Sequence, residues 1–210
     1  DRTGLVGSIA TAVRAERLHM DAIAGGYEDR RTLATNGPLL HLRANDRELG
    51  STVSGRTLRV QAEAWSNWGL TRLEVVANGE VVAEAGPDDE GWARLDLEWS
   101  PRCSGWMIAR AWGPGHPALN TRCVPEGLRA EKGQWAVTSP IYVEVPGRPL
   151  LPRREDAEYF VRWIDACSAA IRAWRSLPAN QALPFCEESV MQVLDFFQRG
   201  RSLFEELAEP

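Results

Sequence analysis

The sequence predicts an α+β chain: an antiparallel β-sandwich of immunoglobulin-like (Ig-like) type, with a short N-terminal helical segment and a C-terminal helical hairpin. Three observations predict it. Leu58, Val60, Ala62 and Ala64 alternate with Arg59, Gln61 and Glu63, the period of a half-buried strand. Asn78-Gly79 sits between two apolar runs, a hairpin signal because both turn residues must take positive φ. After Pro146–Pro152 the period changes from two to three and four, as helices require.

Along the chain, residues 8–26 read as a helix. Ile9, Ala12, Val13, Leu18, Ala22 and Ile23 form its stripe, and Gly25-Gly26 ends it. A short strand at Arg31–Thr35 and a turn at Asn36-Gly37-Pro38 follow. The β-domain then supplies seven or eight strands: Leu39–Ala44, the run from Leu58 to Ala64, Leu73–Ala77, Glu80–Glu84, Trp92–Trp99, Gly105–Trp112 and Ile141–Val145. Gly113–Gln134 reads as a long loop, rich in Pro and Gly at Gly113-Pro114-Gly115-His116-Pro117. Two helices close the chain. One carries Phe160, Trp163, Ile164, Cys167, Ile171 and Trp174, and the other Val190, Val193, Leu194, Phe197, Phe204 and Leu207. Leu177-Pro178 and Leu183-Pro184 separate them. The expected division is therefore 1–36, an N-terminal helix and strand; 37–147, the sandwich; and 148–210, the hairpin.

Composition narrows the function classes. The net charge of −5 argues against a nucleic-acid surface. No stretch approaches the roughly 18 apolar residues of a membrane span. Lys132 is the only lysine, and the arginines are scattered rather than gathered into a patch. Cys103, Cys123, Cys167 and Cys186 include no CxxC pair, which argues against a zinc site of the usual spacing. Cys103 and Cys123 can be read as a bridge in an oxidising compartment, but reduced thiols and a cytoplasmic home are the preferred reading.

The chain has three histidines, His19, His41 and His116, and neither HxH nor HExxH spacing. His116, in the long loop, is the best ligand candidate of the three. Asp88-Asp89-Glu90 has oxygen ligands for calcium, yet follows Gly86-Pro87 and reads better as a polar hairpin loop. No GxSxG elbow is present. Nine tryptophans invite a sugar-binding reading, in which Trp65 and Trp68 bracket a turn and join His116 in one ligand site. Trp99, Trp106 and Trp112 are expected in the sandwich core, and Trp163 and Trp174 on the helical stripe.

Four pieces of the chain, in order, carry a resemblance. They are Thr35-Asn36-Gly37-Pro38-Leu39-Leu40, the run from Leu73 to Val82, Ser104-Gly105-Trp106 with Ala109-Arg110-Ala111-Trp112, and Thr138-Ser139-Pro140-Ile141-Tyr142-Val143. From about Asp21 to Glu158 the chain resembles the C-terminal region of carbaryl-hydrolase-like metallohydrolases of the PHP (polymerase and histidinol phosphatase) superfamily. The resemblance implies that residues 1–36 are the tail of a PHP-type catalytic domain. Such a domain binds a divalent metal (Zn, Mn or Fe) for ester or phosphoester hydrolysis. None of that family's ligand motifs falls on this sequence, so no catalytic residue and no cofactor is assigned to the chain itself. Thr35, Asn36, Gly37 and Pro38 become the domain-junction turn. The expected function is that of a non-catalytic accessory part, not active alone. Its expected partners are the catalytic domain of the same protein and, through the C-terminal helices, a second copy. The alternative is a stand-alone sandwich module that binds carbohydrate or another small ligand.

Overall fold

The computed structural model describes residues 9–115, 133–150, 152–175 and 187–209. They form eleven strands and three helices in two compact units, residues 1–150 and 151–210. Among the described residues no helix is long and apolar enough to cross a membrane.

The first unit begins with β1 (Ala10–Val13), α1 (Met20–Glu28) and β2 (Thr32–Thr35). The helix expected over 8–26 is thus corrected: its first part is a strand and its second part starts later. Antiparallel pairing of β1 with β2, and of β2 with β10 (Gly133–Thr138), overrides the weak helical stripe. Gly25 and Gly26 do not end the helix. They lie inside it, and Gly26 permits its close approach to β1: a Cβ there would meet Val13 Cγ1 at 2.6 Å and the Arg14 carbonyl at 2.7 Å. The helix ends instead at Arg30, whose φ is 58°. The Arg31 amide donates to the Gly26 carbonyl (2.8 Å) and the Arg30 amide to that of Tyr27 (3.0 Å), a Schellman closure.

The remaining strands are β3 (Leu39–Ala44), β4 (Thr52–Ser54), β5 (Leu58–Trp65), β6 (Arg72–Ala77), β7 (Glu80–Ala85), β8 (Trp92–Trp99), β9 (Gly105–Gly115) and β11 (Ile141–Glu144). Strands β3, β5 and β8 make a three-stranded antiparallel sheet; the other eight make the second sheet. In that larger sheet β9 is the spine. One edge carries β6, which continues into β7; the other carries β10 and then β11. Strand β4 adds in parallel to β11.

Both sheets contribute to one apolar core. Leu40, Leu42, Leu58, Val60, Ala62 and Ala64 come from the smaller sheet, and Leu73, Val75, Met107, Ala109, Ala111, Ile141 and Val143 from the larger. Many of these side chains are alanines, so the bulky aromatics lie elsewhere. Trp99 packs partly buried against this core, as expected. Trp106 and Trp112 do not, because they alternate with the fully buried Met107, Ala109 and Ala111 and take the outer face of β9.

The Asn78-Gly79 hairpin forms as read, with φ of 48° and 86°. The loop read over Gly113–Gln134 is corrected at both ends, since β9 runs to Gly115 and β10 starts at Gly133. Along one side of β9 the chain passes from β10 to β11 at Ser139-Pro140, where proline has no amide to donate. Thr138 Oγ1 accepts the Ala109 amide there (3.0 Å), and Ser139 bonds Thr32 through both its amide (2.8 Å) and its hydroxyl (2.7 Å).

The second unit is a hairpin of α2 (Arg154–Arg175) and α3 (Glu187–Ala208). Phe160 stacks on Phe204 with centroids 4.8 Å apart, Ile164 faces Gly200, and Arg201 donates to Asp165 (2.9 Å).

Candidate functional site

The junction turn and the tryptophan turn, separate in the sequence, meet at one end of the β-domain. Thr35 Oγ1 donates to the Pro38 carbonyl (2.6 Å) and accepts the Gly37 amide (3.0 Å), so its hydroxyl closes the turn. Asn36 is held twice by Trp135: its amide donates to the Trp135 carbonyl (3.1 Å), and its Oδ1 accepts the Trp135 amide (2.6 Å). The turn is thus stitched to the start of β10.

Gln134 is the centre of this end. It is fully buried. Its Oε1 accepts the Ser66 hydroxyl, and its Nε2 donates to the Pro114 carbonyl (3.0 Å). A Cβ on Gly37 would meet Gln134 Oε1 at 2.6 Å, and one on Gly113 would meet the Gly69 carbonyl at 2.5 Å. Glycine is required at both places for the two turns to close over the amide. Ser66 Oγ accepts the Trp68 amide (3.3 Å), and Gly69, at φ 83°, completes that turn.

Trp68 is 46% exposed on the turn. Trp65 belongs to the outer face of the smaller sheet, in one cross-strand row with Leu39 and Trp92. Its ring lies 6.2 Å from that of Trp92, at 36° to it, so the two do not form a flat platform. Arg94 lies over Trp92 (5.0 Å). His116 lies outside the described residues, and Trp65, Trp68 and the junction turn lie at the same end of the β-domain.

A second cluster, invisible in the sequence, lies on the outer face of the larger sheet. The Glu74 side chain is only 4% exposed and receives Arg110 Nε (2.7 Å) and Arg72 Nε (2.9 Å). Both guanidiniums lie over the Trp112 ring, at 5.0 and 4.5 Å. A buried carboxylate between two stacked arginines is satisfied as a structural group. Its one sequence signal is a lone acid inside the apolar run Leu73–Ala77.

Several other ionisable residues fall into local pairs. His41 Nε2 faces Arg14 Nη1 at 3.3 Å, and Arg14 and Arg43 both reach Glu48 (2.5 and 3.0 Å). Burial, and then the Arg43 charge, lower the His41 pKa, with Glu48 opposing. Asp96 takes Arg59 on both oxygens (3.0 and 2.6 Å) and is lowered to about 2, first by the Arg59 hydrogen bond and then by Gln61. Asp88 accepts the Glu90 amide (3.0 Å), the Trp92 amide (2.9 Å) and Arg94, which also reaches Glu90. That acidic run therefore closes a hairpin loop. His19 caps α1 through Nδ1, accepting the Asp21 amide at 3.4 Å.

Among the described residues no group of three or more His, Cys, Asp or Glu is placed to hold a metal ion. Cys103 and Cys167 are free thiols, and Cys123 and Cys186 lie outside the described residues. No family model, no curated protein and no solved structure matches the chain.

Proposed function

We propose that this chain is the non-catalytic C-terminal accessory part of a PHP-type metal-dependent hydrolase, and that its β-domain seats the catalytic domain. The observation that carries the reading is the N-terminal segment. Ile9, Leu18, Met20 and Tyr27 are all exposed, Leu18 almost completely at 97%, although β1 is paired with β2 and α1 lies close against it at Gly26. Large apolar side chains concentrated on one ordered segment are what an interdomain contact presents. The resemblance assigns this same segment to the tail of the catalytic barrel. The stitched Thr35–Pro38 turn fits a fixed exit from that barrel.

The strand pairing also supports the finer, Ig-like reading of the domain. A three-stranded sheet faces a sheet in which β9 lies between β6 and β10, with β4 parallel to β11. The free thiols Cys103 and Cys167 support a cytoplasmic home.

The test is the reading frame upstream of Asp1, followed by metal analysis of the protein it encodes. The expected frame holds a barrel-length stretch with HxH and acidic ligands, and its product carries Zn, Mn or Fe and hydrolyses aryl esters or phosphoesters. A frame with no such ligands overturns the proposal.

A further inference from the structure

The helical hairpin presents two apolar stripes per helix and packs one of each between its two helices. Along α3, Val190, Leu194, Phe197, Arg201, Phe204 and Ala208 form the half-buried stripe, and no residue of this helix is fully buried. A second stripe, Val193, Phe196, Gly200, Leu203 and Leu207, steps by three and four residues. Its large members are exposed, Phe196 at 67%. Along α2, Ala157, Phe160, Ile164, Ser168 and Ile171 are buried or half-buried, while Tyr159, Trp163, Ala166, Ala170 and Trp174 are exposed. At about 100° per residue, the exposed stripe is rotated from the packed one by roughly 120° on α2 and 105° on α3, in the same sense along each chain direction. The helices run antiparallel, so the same sense places both stripes on one side of the hairpin. The result is a single apolar face two helices wide.

We propose that this face pairs with the same face of a second copy, forming a two-fold symmetric four-helix bundle. The pattern of each stripe and the area it exposes fit a second copy as the occupant. On α3 the positions are nearly symmetric about Gly200: Val193 and Leu207 lie seven residues either side, and Phe196 and Leu203 four and three. On α2 they are symmetric about the Ala166–Cys167 bond: Tyr159 mirrors Trp174, and Trp163 mirrors Ala170. In an isologous interface residue i meets j where j meets i, so each stripe meets the same pattern on its own copy. It sets Phe196 against the partner's Leu203, Gly200 against the partner's Gly200, and bulky Trp163 against small Ala170 of the partner subunit. Ile164 faces Gly200 within the hairpin, so the two midpoints lie level to within about 4 Å at a 1.5 Å rise per residue. One two-fold axis across the hairpin therefore serves both helices.

The area is sufficient. The exposed fractions of the seven large side chains amount to about 700 Å² per copy, or about 1,400 Å² per dimer, within the range of stable interfaces. A two-helix layer lacks a closed core of its own, and two such layers face to face make one.

The inference is independent of the accessory reading, and its test uses the full chain. Sedimentation equilibrium at micromolar concentration is expected to give twice the chain mass of 23.3 kDa. Phe196→Glu and Leu203→Arg, both at exposed positions, are each expected to give the single-chain mass with unchanged helical circular dichroism. The double variant Phe196→Glu/Leu203→Arg is expected to dimerise again, because antiparallel self-pairing sets each introduced acid against an introduced base. A monomeric wild-type chain overturns the proposal. So do single variants that stay dimeric, or a double variant that stays monomeric.

Discussion

Replacing Gln134 by leucine tests whether the end of the β-domain is organised by a buried amide or merely filled by it. The two side chains have similar volume, and Gln134 is fully buried. If the amide were filler, leucine would stabilise the fold by about 1–2 kcal/mol through its better transfer from water. The structure predicts the opposite sign. The substitution removes the acceptor for the Ser66 hydroxyl and the donor to the Pro114 carbonyl, and Ser66 is itself buried. Two lost hydrogen bonds and an orphaned hydroxyl cost about 2–4 kcal/mol. At about 2–4 °C per kcal/mol for a unit of this size, the midpoint should fall by roughly 4–16 °C. Tryptophan fluorescence during thermal unfolding reads it. A Ser66→Ala/Gln134→Leu double variant should be less destabilised than the sum of its parts, since both changes remove the same bond. A Gln134→Leu protein as stable as wild type, or more so, refutes the reasoning.

Two further perturbations follow from the charged groups. Glu74→Ala leaves Arg72 and Arg110 stacked on Trp112 without their shared carboxylate, and should cost about 3 kcal/mol in urea unfolding; a change under about 0.5 kcal/mol would place Glu74 among ordinary surface acids. His41 has a folded pKa below its ordinary 6.5, so the unfolded chain binds more protons in the interval between the two values. Its contribution is fully present above pH 6.5 and is lost as pH falls through that interval toward the folded value. Midpoints of thermal unfolding above and below that pH should converge in His41→Gln, and an unchanged pH slope would exclude His41 as the source.

The parts of the fold legible in the sequence were those fixed locally. Asn78-Gly79 specifies its hairpin because the two dihedrals demand those residues, and the alternation from Leu58 to Ala64 specifies a strand wherever it pairs. The parts that were not legible depend on distant partners. Residues 10–13 carry a weak helical stripe and become a strand because Thr32–Thr35 offers an edge. Strand β10 hid inside an expected loop because its buried phase is Gln134, Ala136 and Thr138, which reads as polar until Ser66 and Ala109 are brought to it. Trp106 and Trp112 were expected in the core on size. The phase of β9 decides otherwise, since the opposite face holds Met107, Ala109 and Ala111. The junction turn was readable as a turn, but its attachment to Trp135 spans 99 residues of sequence.

The central claim is that this chain accompanies a metal-dependent hydrolase without supplying its metal site. The most direct measurement is metal content of the purified 210-residue chain by plasma mass spectrometry, alongside turnover of simple aryl esters and phosphoesters. The account predicts substoichiometric metal and no turnover above buffer. Stoichiometric zinc, manganese or iron with hydrolysis that chelation abolishes would contradict it.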